Sequence, residues 1–377
     1  MKRALIITTV SGFVPQFEMN NVKILQSMSY EVHYATNYNM TVYGKDNSRL
    51  DNTGIIRHQI DFRRSPFDLI NNLKAYKQLK ELMKLEKFDL VHCHTPMGGM
   101  LGRIASVATK TSPVIYTAHG FHFYKGASII NWLIYFTVES IMARFTDVLI
   151  TINKEDYYYA QKFKIRHSGA VEFIKGIGIN TEIGYNYKVN RLEKYKEFGI
   201  DKESYVIISV GELSKRKNHK VIIKALAKLK NKRITYLICG TGVFESRLRK
   251  MVKALKLEEQ VVFAGYRKDI YEILSISDCF VFPSFQEGLP VALLEAMVIG
   301  LPVICSKIRG NVDLIDDNQG GYLVDALDVN AFGQAINNLL NDNQKMKDFG
   351  IYNRQKVKEF DIKVVSKNME RIYNKFN

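Results

Sequence analysis

Several features of common protein classes are scarce in this sequence of 377 residues. No uninterrupted apolar run reaches the ~18 residues of a membrane-spanning helix, and no internal repeat is visible. The apolar residues 4–10 are followed by Gly12 and Pro15, which indicates a first strand rather than a secretory signal. No Cys-x-x-Cys motif occurs, and the few cysteines lie in or beside apolar runs, which predicts reduced core residues rather than disulfides or a zinc site. They are Cys93, Cys239, Cys279 and Cys305. These absences favour a cytoplasmic, globular protein.

Acidic residues are also few relative to basic ones. The chain has 38 Asp and Glu against 54 Lys and Arg, a formal net charge of +16. A basic protein of this kind is expected to meet an anionic partner: nucleic acid, an acidic bilayer surface or a phosphate-bearing ligand. The basic residues are dispersed rather than gathered in a tail, so solvated helix faces explain many of them equally well.

Apolar runs of strand length alternate with helical segments along the whole chain. Such alternation predicts an α/β protein with parallel sheets. A polar stretch at 180–190 separates two series of runs, so we predict two domains with a boundary near 180–195. The clearest predicted strands of the first domain lie at 3–9, 89–94 and 113–117, and those of the second at 204–210, 234–239 and 279–282.

The most informative stretch runs from Pro283 to Pro302. A strand precedes it, and Pro290 suits the first turn of a helix that ends near Gly300. In a strand–turn–helix unit, the turn lies at the carboxyl edge of the sheet, where α/β proteins bind ligands. The N–H groups that begin the helix lack internal partners and can face an anion. They belong to Gly288, Leu289 and Val291.

Two carboxylates flank this anion site, Glu287 on the turn and Glu295 one turn into the helix. A phosphate would repel either one, so each is better suited to accept hydrogen bonds from hydroxyls at the two ends of a ligand. A nucleotide sugar fits, with Glu287 at the transferred sugar and Glu295 at the ribose. The alternative is that Glu295 merely complements the helix dipole and Glu287 is a solvated loop residue.

The order Phe-Pro-Ser, Glu-Gly-Leu-Pro, Leu-Glu-Ala-Met and Gly-Leu-Pro-Val in this stretch resembles the donor-site signature of the retaining family-4 glycosyltransferases, which have the GT-B fold. The resemblance implies two Rossmann-like domains that face each other across a cleft. Residues 1–185 would bind the acceptor, residues 195–360 would bind the nucleotide sugar, and residues 361–377 would cross back to the first domain. It also implies transfer without a metal or another cofactor.

The resemblance assigns further donor-binding residues. The family usually reads Gly-Arg-Leu, three residues, Lys; here the passage begins at Gly211, and Lys217 matches the Lys. Glu212 stands where the Arg normally does, and Lys215 or Arg216 could compensate. Taken alone, this basic passage could equally be a nucleic-acid patch. The remaining candidates are two turn glycines near the donor and a base-binding turn: Gly12, Gly240, Tyr266 and Arg267.

His119 directly follows a predicted strand and precedes a glycine, so its ring can point into a cleft. The family has a His here against the donor sugar, which implies that role for His119. The alternative is a structural histidine. Metal binding by His92, His94, His119 and His122 ranks low, because no carboxylate accompanies them in the same turns.

The passages His94 to Gly99 and His119 to Tyr124 resemble bacterial capsular and exopolysaccharide glycosyltransferases in particular. Their acceptors are typically undecaprenyl-diphosphate-linked sugars, which implies a peripheral enzyme on the inner face of the cytoplasmic membrane. Two predicted helices could contact anionic lipid: a lysine-rich helix at 66–88, and one at 128–145 that carries Trp132 and Tyr135. Packing on the sheet is the default for both. The apolar stripe of the first helix is Leu69, Leu73, Tyr76, Leu79 and Met83.

The predicted function is transfer of a sugar from a UDP-linked donor, with an N-acetylhexosamine as candidate, to a lipid-linked saccharide in capsule, exopolysaccharide or O-antigen biosynthesis. A sugar-nucleotide epimerase of the same architecture is an alternative, and it would need additional acid/base carboxylates. A nucleic-acid-binding protein is suggested by charge alone and would leave the ordered motifs without a role. We therefore expect no nucleic-acid partner.

Overall fold

The computed structural model describes residues 1–44, 46–166, 169–185 and 189–377. The chain divides into two compact units, one formed by Met1–Gly178 with Ile362–Asn377 and the other by Ile179–Asp361. Each unit contains one parallel sheet with helical crossovers. The prediction of an α/β protein with two Rossmann-like domains is confirmed.

In the described residues of the first unit, the sheet has seven parallel strands in the order β3-β2-β1-β4-β5-β6-β7. β4 and β5 are buried at every position, as expected for central strands of a parallel sheet. The three clearest predicted strands coincide with β1, β4 and β5 to within one residue. The strands are β1 Lys2–Val10, β2 Tyr30–Asn37, β3 Ile56–Gln59, β4 Leu90–His94, β5 Val114–Ala118, β6 Val148–Thr151 and β7 Ala170–Phe173.

Helices cover both faces of this sheet. The evidence is that alternate residues of β1 pack into two different core clusters, each with its own helices. Leu5 and Ile7 pack with α2, α3 and α5, whereas Ala4 and Ile6 pack with α1 and a C-terminal helix, Ile362–Asn374. The other helices of the unit are a π-helix Val14–Glu18, α1 Met19–Ser27, a 3₁₀ turn Ser48–Leu50, α2 Leu69–Glu86, α3 Pro96–Thr109, α4 Ile129–Asn131, a π-helix Trp132–Phe136, α5 Thr137–Ala143 and α6 Lys154–Ala160.

The inward face of α2 differs from the predicted stripe. The helix buries Asn72, Ala75, Leu79 and Met83, whereas Leu69 and Leu73 are 74% and 53% exposed. Asn72 takes the inward position near the start of the helix because its side-chain amide donates a hydrogen bond to the carbonyl oxygen of residue 65. The first five residues of α2 thus include two leucines that are largely in solvent.

The helix predicted at 128–145 is divided into α4, the second π-helix and α5. Trp132 packs against the core, and its indole N–H donates a hydrogen bond to the Tyr124 carbonyl oxygen at 3.2 Å. Tyr135 packs on the same core. Core packing, the default expectation, is confirmed for both aromatic residues.

The second unit has six parallel strands in the order β10-β9-β8-β11-β12-β13. Its predicted strands at 204–210, 234–239 and 279–282 coincide with β8, β9 and β11 to within one residue. The strands are β8 Tyr205–Val210, β9 Ile234–Cys239, β10 Val261–Gly265, β11 Cys279–Phe282, β12 Val303–Ser306 and β13 Gly321–Val324. The helices are a 3₁₀ turn Thr181–Tyr185, α7 Arg191–Phe198, α8 Lys220–Leu229, α9 Glu245–Ala254, α10 Ile270–Ser275, α11 Val291–Ile299, α12 Asn311–Leu314, α13 Val329–Leu340, α14 Asn343–Lys356 and a 3₁₀ turn Val357–Phe360.

The predicted linker at 180–190 begins with ordered structure of the second unit. Its 3₁₀ turn lies on α11, since a Cβ on Gly184 would lie 2.1 Å from the Val298 carbonyl oxygen. Residues 186–188 of the predicted linker lie outside the described residues.

The four cysteines, all in the described part of the chain, are buried and unpaired, which confirms their prediction as reduced core residues. Within the same described residues, every helix is too short or too polar to cross a bilayer.

Candidate active site

Two turns of the second unit meet where the order of its strands reverses. β8 and β11 are neighbours in the sheet, and α/β sheets bind ligands beyond the carboxyl ends of strands at such a reversal. The turn after β8 carries Arg216 and Lys217, and the turn after β11 carries Glu287. Lys217 Nζ and Arg216 Nη1 each lie 2.8 Å from Glu287 Oε1. The structure thus brings Glu287 and Lys217 together and adds Arg216, which the sequence suggested only as a substitute.

Glu287 is a buried, ion-paired residue rather than a solvated one, with only 9% of its side chain exposed. Burial opposes ionisation of its carboxyl, but the charges of Lys217 and Arg216 together outweigh it and lower its pKa. Burial also lowers the pKa of the Lys217 amine, and Glu287 offsets part of that effect. A phosphate entering this site would compete with Glu287 for both cations.

Two residues behind this turn hold it in place. Arg309 donates a hydrogen bond from Nε to the Glu287 carbonyl oxygen at 3.0 Å. A Cβ on Gly310 would lie 2.3 Å from the Gly288 carbonyl oxygen, so this position needs a glycine. Neither residue was among the predicted site residues, because the contact depends on strand order rather than on a local pattern.

Gly211 and Gly240 pack together beneath Lys217. A Cβ on Gly240 would lie 1.9 Å from the Gly211 carbonyl oxygen, and one on Gly211 would lie 3.1 Å from Lys217 Cε. Close packing therefore requires glycine at Gly240 and leaves little room beside Gly211. A contact of either with the donor stays a prediction.

The anion-binding end of α11 is built differently from the prediction. The helix begins at Val291, and Pro290 is its N-cap rather than its first residue, so Gly288 and Leu289 belong to the turn. Among the described residues, the N–H groups of Gly288, Leu289 and Val291 have no hydrogen-bond acceptor. Three such donors at a helix start are suited to an anion.

Glu295, on α11, has a different environment from Glu287. Its carboxyl has no cation or hydrogen-bond donor beside it in the described ranges, and burial raises its pKa to about 7. A hydroxyl of a ligand would supply the missing donor. The assignment to a ribose stays a prediction.

The other predicted donor-binding residues of this unit are more exposed. Glu212 is exposed on the turn after β8, and Tyr266 is 65% exposed. Arg267 forms ion pairs with Asp269 and Glu197 at 2.6 and 2.7 Å. Its guanidinium is therefore committed to its neighbours, which leaves the main chain of this turn for the predicted contact with a base.

In the first unit, His119 meets two groups from distant parts of the chain. Glu18 Oε1, at the end of the first π-helix, lies 3.2 Å from His119 Nε2 and 3.5 Å from His94 Nδ1. The two ring nitrogens are 3.1 Å apart. Only 2% of the Glu18 side chain is exposed, against 20% for His119. The sequence did not single out Glu18, because no local pattern marks a carboxylate that reaches a turn 101 residues away.

A carboxylate thus joins two of the histidines, but it comes from another element of the fold and not from the turns that carry them. Coordination of a metal through His94 Nδ1 would put the ring proton on Nε2, which has no partner in the described part of the protein. Ligating histidines ordinarily donate that second N–H. Hydrogen bonds account for the same three distances, so the cluster does not require a metal.

The other two histidines considered as metal ligands, His92 and His122, lie outside the cluster formed by Glu18, His94 and His119. His92 is bonded through both ring nitrogens, to Tyr373 and Thr117, each at 2.8 Å. Burial lowers its pKa to about 3, so it is a neutral core residue. His122 stacks on the Tyr135 ring.

Gly12 lies beneath a neighbouring loop of the first unit. A Cβ at this position would lie 1.7 Å from the Val42 carbonyl oxygen. The next residue, Phe13, places its ring edge-on to His119 at 4.9 Å. Packing thus explains the glycine, and its contact with donor phosphates stays a prediction.

Two family descriptions match the chain, one in each unit. "Glycosyl transferase 4-like" matches residues 4–153, and "Glycosyl transferases group 1" matches residues 190–356. The first match lies within the predicted domain at 1–185, and the second overlaps most of the predicted domain at 195–360.

Relatives match over most or all of the chain. EpsD of Bacillus subtilis (strain 168), which its name assigns to the glycosyltransferases, is 33% identical over 380 residues, covering 100% of this chain and 97% of that one. The UDP-Gal:alpha-D-GlcNAc-diphosphoundecaprenol alpha-1,3-galactosyltransferase of Escherichia coli is 31% identical over 280 residues, covering 73% of this chain and 72% of that one.

A solved structure supports the fold independently. HepE of Anabaena in complex with UDP-glucose superposes with a TM-score of 0.81 over 100% of both chains, at 18% identity. The epimerase and nucleic-acid alternatives find no support among these matches. The chain belongs to the group 1 glycosyltransferases, enzymes of the two-domain GT-B fold.

Proposed function

We propose that this glycosyltransferase moves a sugar, with retention at the anomeric carbon, from a UDP-linked donor to an undecaprenyl-diphosphate-linked saccharide in capsule, exopolysaccharide or O-antigen synthesis. The observation that carries the proposal is the buried Glu287, paired with Lys217 and Arg216 beside three unpartnered N–H groups. The Escherichia coli relative supports the nucleotide and the acceptor class, since its name gives UDP-Gal and a diphosphoundecaprenol-linked sugar. An N-acetylhexosamine is our candidate for the transferred sugar.

The donor diphosphate would displace Glu287 from Lys217 and Arg216. Charge builds up on the phosphate oxygens as the sugar leaves, and buried cations and N–H groups aimed at them stabilise that charge. Gly288, Leu289 and Val291 would supply the N–H groups. These groups provide positive charge without a metal, so we propose metal-independent transfer.

Glu287, once displaced, would accept hydrogen bonds from hydroxyls of the transferred sugar. It orients the sugar, and the acceptor hydroxyl attacks from the face that the phosphate leaves. Glu295 would accept from the ribose hydroxyls, and the main chain at Tyr266 and Arg267 would hold the base. His119 would contact the sugar, as the family resemblance implies.

We also propose that the first unit contacts the cytoplasmic membrane through an apolar rim. α2 and α4 follow the parallel strands β3 and β5, so both helices begin at the carboxyl edge of the sheet, and α2 and α5 share one core cluster. Their first turns expose large apolar side chains with Arg63, Arg64 and Lys125 beside them in sequence. Such a surface suits an anionic bilayer. The apolar rim consists of Phe67, Leu69, Ile70, Leu73, Ile129, Ile130, Leu133 and Ile134.

A thermal-shift panel of nucleotide sugars tests the donor. UDP-sugars at about a hundred times their Kd should raise the melting temperature by roughly 5 °C, since they bind only the folded protein. EDTA-treated protein should respond equally. Stabilisation by GDP-sugars and not by UDP-sugars would contradict the choice of nucleotide.

Glu287→Gln tests the assigned chemistry. The variant should lose at least about 100-fold in kcat, because the sugar loses an oriented charged acceptor in the transition state. It should still bind the UDP-sugar, since the carboxylate that competes for Lys217 and Arg216 is gone. Glu245→Gln, which removes an exposed ion pair with Arg249 in the same unit, is the matched control and should keep full activity. Full activity of Glu287→Gln would refute the assignment.

A further inference from the structure

The His119 ring in the first unit is held from several directions. Its Nε2 faces the buried carboxylate of Glu18 at 3.2 Å and the His94 ring at 3.1 Å. The Phe13 ring contacts it edge-on. Glu18 is itself fixed, because its other carboxylate oxygen accepts a hydrogen bond from the Asn21 side-chain amide.

The position of the ring proton follows from these contacts. A lone pair on His119 Nε2 would face the carboxylate oxygen at 3.2 Å and be repelled, whereas an N–H there forms a charge-assisted hydrogen bond. The carboxylate therefore favours the tautomer that carries its proton on Nε2. In neutral His119, the other nitrogen, Nδ1, is left as an acceptor.

We propose that Glu18 is a positioning residue for His119: it fixes the ring and its tautomer so that Nδ1 accepts a hydrogen bond from a hydroxyl of the sugar. The inference rests on the proposed function for the identity of that ligand, but not for the state of the ring. A hydroxyl donor suits an uncharged sugar, whereas a ring N–H would favour an anion.

The local fold places Glu18 beside His119. Glu18 ends a π-helical turn, a rare conformation often found at functional sites, and α1 continues directly from it. Glu18 and His119 also line one small cavity of the first unit, together with Thr117, Ile150 and Ile174. The His119 side chain is 20% exposed and that of Glu18 only 2%, so the histidine, and not the carboxylate, is open to a ligand.

The tautomer can be measured without any substrate. The full chain with ¹⁵N-labelled histidine should show His119 protonated at Nε2 in long-range ¹H–¹⁵N spectra. Glu18→Leu removes the acceptor at similar volume, and its His119 should lose this preference and populate both tautomers. Glu172→Gln is the control, because this carboxylate of the first unit pairs with Arg371 and Lys375 and leaves His119 untouched.

The catalytic consequence is measured with UDP-sugar and a lipid-linked acceptor. Glu18→Leu should lower kcat on the order of 100-fold through a misplaced ring, with little change in the KM of the donor. In a His119→Ala background the same substitution should have no further effect, because both changes remove one function. General damage to the fold would lower kcat in both backgrounds.

Three results would overturn the proposal: a His119 protonated at Nδ1 in the native chain, a tautomer unchanged by Glu18→Leu, or additive losses in the double variant. A stoichiometric zinc ion on these residues in the purified protein would overturn it as well. If UDP-sugars fail to bind while the tautomer still depends on Glu18, the proposed function falls and the positioning role stands.

Discussion

Two glutamates that are eight positions apart in the sequence have opposite electrostatic environments. Glu287 lies against two cations that lower its pKa, whereas Glu295 has burial alone, which raises its pKa to about 7. Environments that separate the pKa values of neighbouring carboxyls ordinarily separate their roles. Glu287 stays ionised throughout the physiological range, whereas Glu295 changes charge within it.

The raised pKa of Glu295 predicts pH-dependent donor binding. Its carboxylate accepts two hydroxyl hydrogen bonds better than the neutral acid does, so affinity for a UDP-sugar should rise as pH increases from about 6 to 8. Glu295→Gln should bind more weakly at pH 8 and lose this dependence. Calorimetric titration with the UDP-sugar at several pH values measures this affinity. Free UDP is unsuitable, because its terminal phosphate titrates in the same pH range. An equal pH dependence in both proteins would contradict the assignment.

The same shift has a consequence for stability. The folded-state pKa lies above the ordinary value of 4.5, so the folded state favours the protonated form. Relative to Glu295→Gln, the native protein should therefore lose unfolding free energy as pH rises from about 4.5 to 7, and the difference should level off above that.

Among the helices and strands, the helices of the apolar rim differ along their length in which side chains they bury. The later turns of α2 pack inward through Ala75, Leu79 and Met83, whereas the first turn exposes Leu69 and Ile70. α4 and the π-helix after it repeat this arrangement, with Trp132 inward and Leu133 outward. Clustered exposed apolar side chains of this kind form a candidate interaction surface.

The apolar rim predicts binding to anionic vesicles. A double variant, Ile130→Ser with Leu133→Ser, should lower the partition coefficient onto vesicles containing anionic lipid by about tenfold or more, since two large apolar side chains together contribute more than ~1.4 kcal/mol. Binding of UDP-sugar should not change. Ile351→Ser removes an exposed isoleucine of α14 in the second unit and should leave vesicle binding as it was. Equal vesicle binding by all three proteins would eliminate the membrane proposal.

For the whole molecule, the chain leaves the first unit at Gly178 and returns to it at Ile362. The exit and the return touch, since a Cβ on Gly178 would lie 2.8 Å from Ile362 Cα. The returning helix buries Ile372 and Tyr373 against the first sheet. The first unit is therefore complete only when the last residues of the sequence are in place.

This topology predicts that the C-terminal helix stabilises the first unit. Ile372→Ala should lower its free energy of unfolding by about 2–4 kcal/mol through the lost burial and the cavity left behind. The sole tryptophan, Trp132, lies in this unit, so its fluorescence during urea unfolding reports the change. Val364→Ala, at an exposed position of the same helix, should have little effect. A loss of unfolding free energy in Val364→Ala as large as that expected for Ile372→Ala, or no loss in Ile372→Ala, would contradict this role of the C-terminal helix.

The strands, the turn at Glu287 and the family could be predicted from the sequence. Buried parallel strands are continuous apolar runs, so β1, β4, β5, β8, β9 and β11 were predicted to within a residue. The turn at Glu287 and Gly288 was recognisable because a strand end, a glycine, a proline and two carboxylates follow one another in a short stretch. These are local patterns, and local patterns are what a sequence displays directly.

Which of these residues meet depends on the folded chain. Lys217 and Glu287 are 70 positions apart and touch because β8 and β11 are neighbours in the sheet. Glu18 reaches His119 because a π-helical turn after β1 points its carboxylate toward the ends of β4 and β5, and Asn72 is buried on α2 because its side-chain amide has an acceptor outside the helix, the carbonyl oxygen of residue 65. Strand order and contacts between distant residues depend on the whole folded chain, so no window of the sequence contains them.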